Sequence, residues 1–221
     1  MVLDKKTAPD AVTLWARGRM SFLFGVETRE TFFKRISKFL PELDPNYKRI
    51  EMAYDDAEAA FKGITRDGGG GYFENHLVPV TLIVVDYLEI RDPDIICAAL
   101  LHDILEDTDW TVERLRRRYG ERVALLVYYA TEPTAEEFGS REAAELVYLD
   151  RFKSAPRDFF LVKLPDRLQN LTTLGARPRD KQISKVEETE LHYMQYAREH
   201  LILLPELREV LQLWRKQFAQ Q

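Results

Sequence analysis

Helical periodicity runs through nearly the whole chain and limits the folds that it can adopt. Apolar residues recur at intervals of three and four positions, and no segment sustains the alternation typical of a half-buried strand. We therefore predict an all-α domain of about ten helices. The predicted helices cover residues 28–40, 46–62, 75–89, 93–106, 111–118, 121–131, 136–153, 157–174, 180–199 and 203–217.

A cluster of ionisable residues interrupts the apolar pattern near residue 100: His102, Asp103, Glu106 and Asp107. On one helix, at about 100° per residue, these positions fall within an arc of roughly 140°. Three carboxylates and an imidazole on a face that cannot point to open solvent need a counter-charge, and a divalent metal ion supplies it. We therefore predict a metal-dependent hydrolase.

Two distant residues complete a donor set for that metal. His76 stands at the head of an apolar stretch, and Asp166 is embedded in another helical apolar pattern. Together with His102 and Asp103 they offer two imidazoles and two carboxylates. This mixture suits Mn²⁺, Fe²⁺ or Zn²⁺ better than Ca²⁺ or Mg²⁺, which prefer oxygen ligands. Because the spacing is long, the fold itself must assemble the site.

Composition and charge exclude several functional classes. The 221 residues are 45% hydrophobic and 31% charged, which is typical of one soluble globular domain, here with room for a terminal extension. A net charge of −5 provides no basic field for a nucleic-acid polymer. The longest apolar stretch, residues 78–85, is too short to span a bilayer. The single cysteine, Cys97, and the absence of a signal-peptide pattern favour a cytoplasmic location.

A phosphorylated substrate would therefore have to be met by local cations. The candidates are Lys62, Arg66, Lys163, Arg167 and the group Arg177, Arg179 and Lys181. Four consecutive glycines, Gly68 to Gly71, form either a loop whose N–H groups approach a phosphate or a simple linker.

Several motifs, taken in order, resemble one known family. They are Arg66 with Tyr72-Phe-Glu-Asn-His76, Ala98-Ala-Leu-Leu-His-Asp-Ile-Leu-Glu-Asp-Thr108, Lys163-Leu-Pro-Asp-Arg-Leu-Gln-Asn170 and Glu188-Thr189. This order is similar to the hydrolase domain of RelA/SpoT-homologue proteins, HD-superfamily enzymes that remove pyrophosphate from the 3′ position of the alarmones ppGpp and pppGpp. The motif Leu-Leu-His-Asp-x-x-Glu-Asp-Thr is far more specific than His-Asp alone.

The resemblance covers about residues 48 to 200 and implies an HD-superfamily helical bundle. We expect a metal-dependent hydrolase domain at residues 46–200, an N-terminal helical extension of unknown role at residues 1–45, and a C-terminal helix packed on the domain at residues 201–221. The chain would then resemble a small alarmone hydrolase, with ppGpp or pppGpp as its nucleotide partner.

Position by position, the resemblance implies roles for individual residues. His76, His102, Asp103 and Asp166 would bind one Mn²⁺. Glu106 and Asp107 match the catalytic acidic pair, and Arg66, Asn170 and Thr173 match positions that contact the nucleotide. From its chemistry alone, Arg167 is a further candidate for neutralising the distal phosphate.

Three departures from the family pattern touch the substrate side of the site. One extra residue lies between Arg66 and His76, Asp67 stands where a lysine is common, and Phe61 replaces a frequent histidine. These changes leave three hypotheses open: hydrolysis of a guanosine alarmone, an HD phosphohydrolase acting on another nucleotide such as an adenosine alarmone or a nucleoside monophosphate, and a non-catalytic alarmone-binding module.

Overall fold

The computed structural model describes residues 10–66 and 69–220. Within these ranges the chain forms helices and turns, with an isolated bridge between Thr65 and Gly71 in place of any strand. The prediction of an all-α fold is therefore confirmed. Among the described helices, none is both long enough and apolar enough to cross a membrane.

Three capped helices form the N-terminal part: α1 (Ala11–Arg19), α2 (Arg29–Ile36) and α3 (Pro45–Ala60). The Asp10 carboxylate accepts from the N–H of Thr13, and Asp44 caps α3 ahead of Pro45, at a position where proline's missing N–H costs nothing. A 3₁₀ turn, Ser21–Phe24, follows α1. Helix α1 was not predicted, because among its residues only Val12 and Ala16 are buried.

The central part carries most of the core. Helix α4 (Val78–Leu82) is continued on both sides by π-helical turns, Phe73–Leu77 and Ile83–Tyr87. The wider turn lets the N–H of Val78 donate to the carbonyl of Phe73 just before Pro79, which has no N–H to give. The helices α5 (Pro93–Leu101), α6 (Ile104–Asp107), α7 (Val112–Tyr119) and α8 (Glu121–Ala130) follow.

The remaining helices complete the bundle. They are α9 (Ala135–Phe138), α10 (Arg141–Arg151), α11 (Arg157–Thr172), α12 (Arg179–Glu188), α13 (Met194–His200) and α14 (Leu204–Ala219). A π-helical turn, Thr189–Tyr193, joins α12 to α13. The predicted helix 136–153 is divided, because Gly139 adopts a positive φ of 81° that ends α9.

Two buried helices cross the middle of the molecule and carry the candidate site. Every residue of α5 from Ile95 to Leu101 is buried, and α5 contacts α3, α4, α8 and α11. Helix α11 is buried along most of its length. At such positions a leucine-to-alanine change costs about 2–5 kcal/mol, so the packing of these two helices is important for the stability of the site.

The predicted continuous helix 93–106 is wrong in one respect that matters for the site. Helix α5 ends at Leu101, and α6 begins only at Ile104. His102 and Asp103 form the turn between them, and the carbonyl of Asp103 accepts from the N–H groups of both Glu106 and Asp107. The four ionisable residues therefore lie on a turn and a short helix, and not on one continuous helix.

Candidate metal and catalytic site

Four side chains from three parts of the chain converge in the interior. His76 comes from the π-helical turn before α4, His102 and Asp103 from the turn after α5, and Asp166 from α11. The His76 Nε2 atom lies 3.2 Å from His102 Nε2, 3.1 Å from Asp103 Oδ2 and 3.4 Å from Asp166 Oδ1. Donors bound 2.0–2.2 Å from one ion are themselves about 3.0–3.6 Å apart, so these separations fit a shared metal ion.

The hydrogen bonds of the two histidines favour the same interpretation. His76 Nδ1 lies 2.7 Å from Gln169 Oε1, and His102 Nδ1 lies 2.8 Å from the carbonyl oxygen of Ala99. Since both partners are acceptors, each Nδ1 carries the proton in the neutral ring and each Nε2 presents a lone pair. Two lone pairs therefore face two carboxylates in a buried space, an arrangement that is stable only around positive charge. The donor set fits a divalent metal ion.

The pKa values of the site residues reflect the same grouping of carboxylates and imidazoles. Burial acts to lower the pKa of His102, but Asp103 and Asp166 outweigh it and raise that pKa to about 10. Burial alone would raise the pKa of Asp103, yet the facing imidazoles hold it well below its usual range. For Asp166 burial is likewise outweighed, by Lys163 and the two histidines, and its pKa is lowered. Both carboxylates are thus available as ligands at neutral pH.

Glu106 and Asp107 lie on α6, at the rim of this cluster. Burial, reinforced by the charge of Asp103, raises the pKa of Glu106 to about 8, although Lys163 and the Glu132 N–H act in the opposite direction. That N–H donates to Glu106 Oε1 at 2.5 Å. Burial and Asp103 also raise the pKa of Asp107. Carboxyl groups with raised pKa values beside a candidate metal site can act as an acid or a base.

Lys163 does not serve as the surface cation that the sequence suggested. It is 5% exposed, and its Nζ lies 3.0 Å from Asp166 Oδ2 and 5.3 Å from the centre of the Tyr148 ring. One turn before Asp166 on α11, it supplies a buried counter-charge that fixes the carboxylate. The structure thus places Lys163 in a buried ion pair with Asp166, and its contact with a substrate phosphate remains a prediction.

Three predicted substrate residues lie together beside the metal cluster. Arg66 Nη2 is 2.9 Å from Asn170 Oδ1 and 3.4 Å from Thr173 Oγ1. Asn170 in turn donates to Asp166, one turn earlier on α11. Through Asn170, the partly buried guanidinium of Arg66 is thus connected to Asp166, one of the candidate metal ligands.

A tight glycine turn sets the position of Arg66. The Arg66 N–H donates to the Gly70 carbonyl at 3.1 Å, and the Gly69 N–H donates back to the Arg66 carbonyl at 3.0 Å. Gly70 has φ 85°, and a Cβ there would lie 2.5 Å from the Asn75 side chain. Asp67 and Gly68 lie outside the described residues. The turn therefore places Arg66 beside the site. The Gly69 N–H already donates a hydrogen bond within the turn.

Arg167 is placed differently from its prediction. Its side chain is 3% exposed, donates to Glu188 Oε1 at 2.7 Å and stacks over the Tyr193 ring at 3.7 Å from the centroid. A guanidinium enclosed by α12 and its π-helical extension cannot reach a substrate phosphate without unpacking them. The structure therefore places Arg167 in a buried ion pair, and its contact with the substrate remains a prediction.

Two supporting residues were not predicted as part of the site. Gln169 is 3% exposed; it orients the His76 ring through Oε1, and its Nε2 donates to the Asn75 carbonyl. The Tyr72 hydroxyl donates to Asp103 Oδ2 at 2.7 Å, and its ring stacks on Phe61 with centroids 5.0 Å apart. Both residues stood inside the quoted motifs, but only the fold shows that their side chains turn towards the ligands.

The sequence of this chain is similar to those of several alarmone enzymes. It is 38% identical over 144 residues to a GTP pyrophosphokinase of Streptomyces coelicolor, covering 64% of this chain and 16% of the relative. It is 32% identical over 155 residues to a guanosine-3′,5′-bis(diphosphate) 3′-pyrophosphohydrolase of Aquifex aeolicus, covering 70% and 22%. It is also 32% identical over 163 residues to the bifunctional (p)ppGpp synthase/hydrolase SpoT of Escherichia coli, covering 72% and 22%. The chain spans about a fifth of the length of these relatives.

A solved structure and a family model agree with this similarity. The structure, described as a metazoan ortholog of SpoT that hydrolyses ppGpp, matches with a TM-score of 0.66 and 23% identity, covering 74% of this chain and 94% of that one. The resemblance to RelA/SpoT hydrolase domains predicted from the motifs is confirmed. The model described as HD domain matches residues 53–199, which include all four metal-ligand candidates. This chain belongs to the HD domain family.

Proposed function

We propose that this chain is a metal-dependent 3′-pyrophosphohydrolase that converts ppGpp and pppGpp to GDP and GTP with release of pyrophosphate. The observation that carries the proposal is the buried meeting of His76 Nε2, His102 Nε2, Asp103 and Asp166, with an acidic pair one turn away. The names of the Aquifex and Escherichia relatives support the substrate and the bond that is cleaved.

We propose Mn²⁺ as the resident ion, with Fe²⁺ or Zn²⁺ as alternatives that suit the same donors. A divalent ion held there supplies Lewis acidity, which polarises a phosphoryl oxygen and makes an attacking water more acidic. We also propose residues 46–200 as the unit that carries this activity, with residues 1–45 as an extension and 201–221 as a helix packed on it.

The protein's own groups would carry the proton transfers. Water attacks the phosphorus bonded to the ribose 3′ oxygen, and Asp107 accepts its proton. As the bond between that phosphorus and the 3′ oxygen breaks, Glu106 donates a proton to the oxygen, in keeping with its raised pKa. The products are GDP or GTP and pyrophosphate. Arg66, held by Asn170 and Thr173, would neutralise charge on the bound nucleotide.

The test is product analysis with ppGpp before and after metal removal. Chelated protein should be inactive, and added Mn²⁺ should restore release of GDP and pyrophosphate. Asp103→Asn keeps the size of the side chain but removes a ligand charge, and it should abolish turnover. Asp109→Asn, at an exposed aspartate just after α6, is the matched control. Intact ppGpp together with cleavage of an adenosine alarmone would favour the second nucleotide class, and bound but uncleaved ppGpp would favour a binding module.

A further inference from the structure

A cavity beside the candidate site is closed by residues that lie outside the matched family region. It has a volume of about 300 Å³, within the range of small-molecule sites. One wall is apolar, formed by Phe22 and Phe24 of the N-terminal turn together with Pro79 and Leu82 of α4. The HD domain match begins at residue 53, so the two aromatic residues belong to the extension.

Other lining residues are polar and connect the cavity to the metal cluster. They include Arg66 and Thr173, which contact each other, and Gln169, whose Oε1 lies 2.7 Å from His76 Nδ1. The cavity is therefore one side chain away from a candidate metal ligand. It is thus close enough to the metal cluster for one ligand to reach both.

The extension is fixed in place by contacts with the body of the fold. Trp15 Nε1 donates to Glu209 on α14 at 2.7 Å, and Arg35 pairs with Glu27 at 2.9 Å and with Asp86. The Arg17 guanidinium lies 5.2 Å from the centroid of the Phe24 ring, which ties the turn to α1. The aromatic wall is thus part of the folded structure.

An aromatic and apolar lining together with amide, hydroxyl, guanidinium and carboxylate groups matches the chemistry of a purine base. The faces of a base stack on aromatic and apolar side chains, while its edges form hydrogen bonds. We propose that the turn Ser21–Phe24 forms one wall of the nucleobase pocket, so that Phe22 and Phe24 help to determine affinity for the base. This inference rests on the proposed function, which makes a purine nucleotide the substrate.

The test measures binding by the full chain and does not need turnover. Calorimetric affinities are compared for GDP, which carries the base, and for pyrophosphate, which does not. Phe22→Ala should weaken GDP binding about tenfold, the loss of one stacking contact, and leave pyrophosphate binding within twofold. Phe22→Tyr should retain GDP affinity. Phe138→Ala is the control, because Phe138 is 41% exposed and Phe24 is 42% exposed. This variant should change neither GDP binding nor pyrophosphate binding.

Phe24→Ala is a second variant in case Phe22→Ala lowers the melting temperature, and it should weaken GDP binding severalfold. Absence of GDP binding to the wild type, or an equal loss for GDP and pyrophosphate in both variants, would overturn the assignment of the pocket. Selective loss of GDP binding in a protein that leaves ppGpp intact would support the pocket and reject the proposed reaction. Cleavage of ppGpp with unchanged GDP binding in both variants would support the proposed reaction and reject the pocket.

Discussion

His76 and His102 point their Nε2 atoms at each other across 3.2 Å, while their Nδ1 atoms are held by acceptors on opposite sides. The acceptor for His76 is a side chain, that of Gln169, whereas the acceptor for His102 is the backbone carbonyl of Ala99 in α5. The first can be removed by substitution and the second cannot. Substitution of Gln169 should therefore weaken metal binding without changing a ligand.

We predict that Gln169→Leu weakens Mn²⁺ binding by about 10–100-fold, because the His76 ring loses the acceptor that fixes its tautomer and orientation. Gln169→Glu keeps an acceptor and should retain most of the affinity. The measurement is titration of the metal-free protein with Mn²⁺, with exposed Gln195→Leu as the control. Equal affinities for Gln169→Leu and the wild type would remove Gln169 from the support of the site.

Glu106→Gln should lower kcat by about 10²–10⁴-fold, because the group that protonates the leaving oxygen is lost. The pKa of Glu106 is raised to about 8, so the wild type should lose activity as rising pH removes its proton. A bound cation lowers that pKa, so this alkaline limb should lie at or below pH 8. Profiles of kcat against pH check this, and an unchanged limb in the residual activity of the variant would assign it to another group.

Arg66→Ala should raise KM for ppGpp about tenfold or more, because a charge-assisted contact with the nucleotide is lost next to Asn170 and Thr173. Lys38→Ala, at an exposed lysine in the turn after α2, is the control and should leave KM unchanged. Steady-state kinetics separate the two constants. A fall in kcat alone would place Arg66 in the chemical step and not in nucleotide binding.

Glu188→Gln tests the buried ion pair that Glu188 forms with Arg167. Burial would raise the pKa of Glu188, but Arg167 and Lys185 outweigh it and lower the pKa from 4.5 to about 2. Losing this partner should lower the free energy of unfolding at pH 7 by about 3 kcal/mol. Glu190→Gln removes the more exposed pair with Arg215 and should cost less than about 1 kcal/mol.

The dependence on pH follows from the direction of that shift. A carboxylate with a lowered pKa stabilises the fold above its ordinary pKa, and the contribution disappears as pH falls through the folded value. The difference in unfolding free energy between wild type and Glu188→Gln should therefore be full at pH 7 and decline between about pH 4.5 and 2. Denaturant unfolding at several pH values measures it, and a difference that persists unchanged at pH 2 would contradict the ion-pair account.

Local patterns were sufficient to predict the helical class and the residues that meet at the metal cluster. Apolar spacing and the quoted motifs can each be recognised within a short segment of the sequence. Side-chain direction was not predictable in the same way. Arg167 and Lys163 have the same formal charge as Arg66, yet burial on α11 turns them into internal counter-ions. The aromatic wall at Phe22 depends on packing between segments more than 50 residues apart, which periodicity alone cannot reveal.

The most direct test of the central claim is hydrolysis of ppGpp in ¹⁸O-water by the Mn²⁺-loaded chain, followed by mass spectrometry of both products. Attack at the phosphorus attached to the ribose 3′ oxygen should place one ¹⁸O atom in pyrophosphate and none in GDP. Label in GDP, release of orthophosphate in place of pyrophosphate, or intact ppGpp would contradict the account.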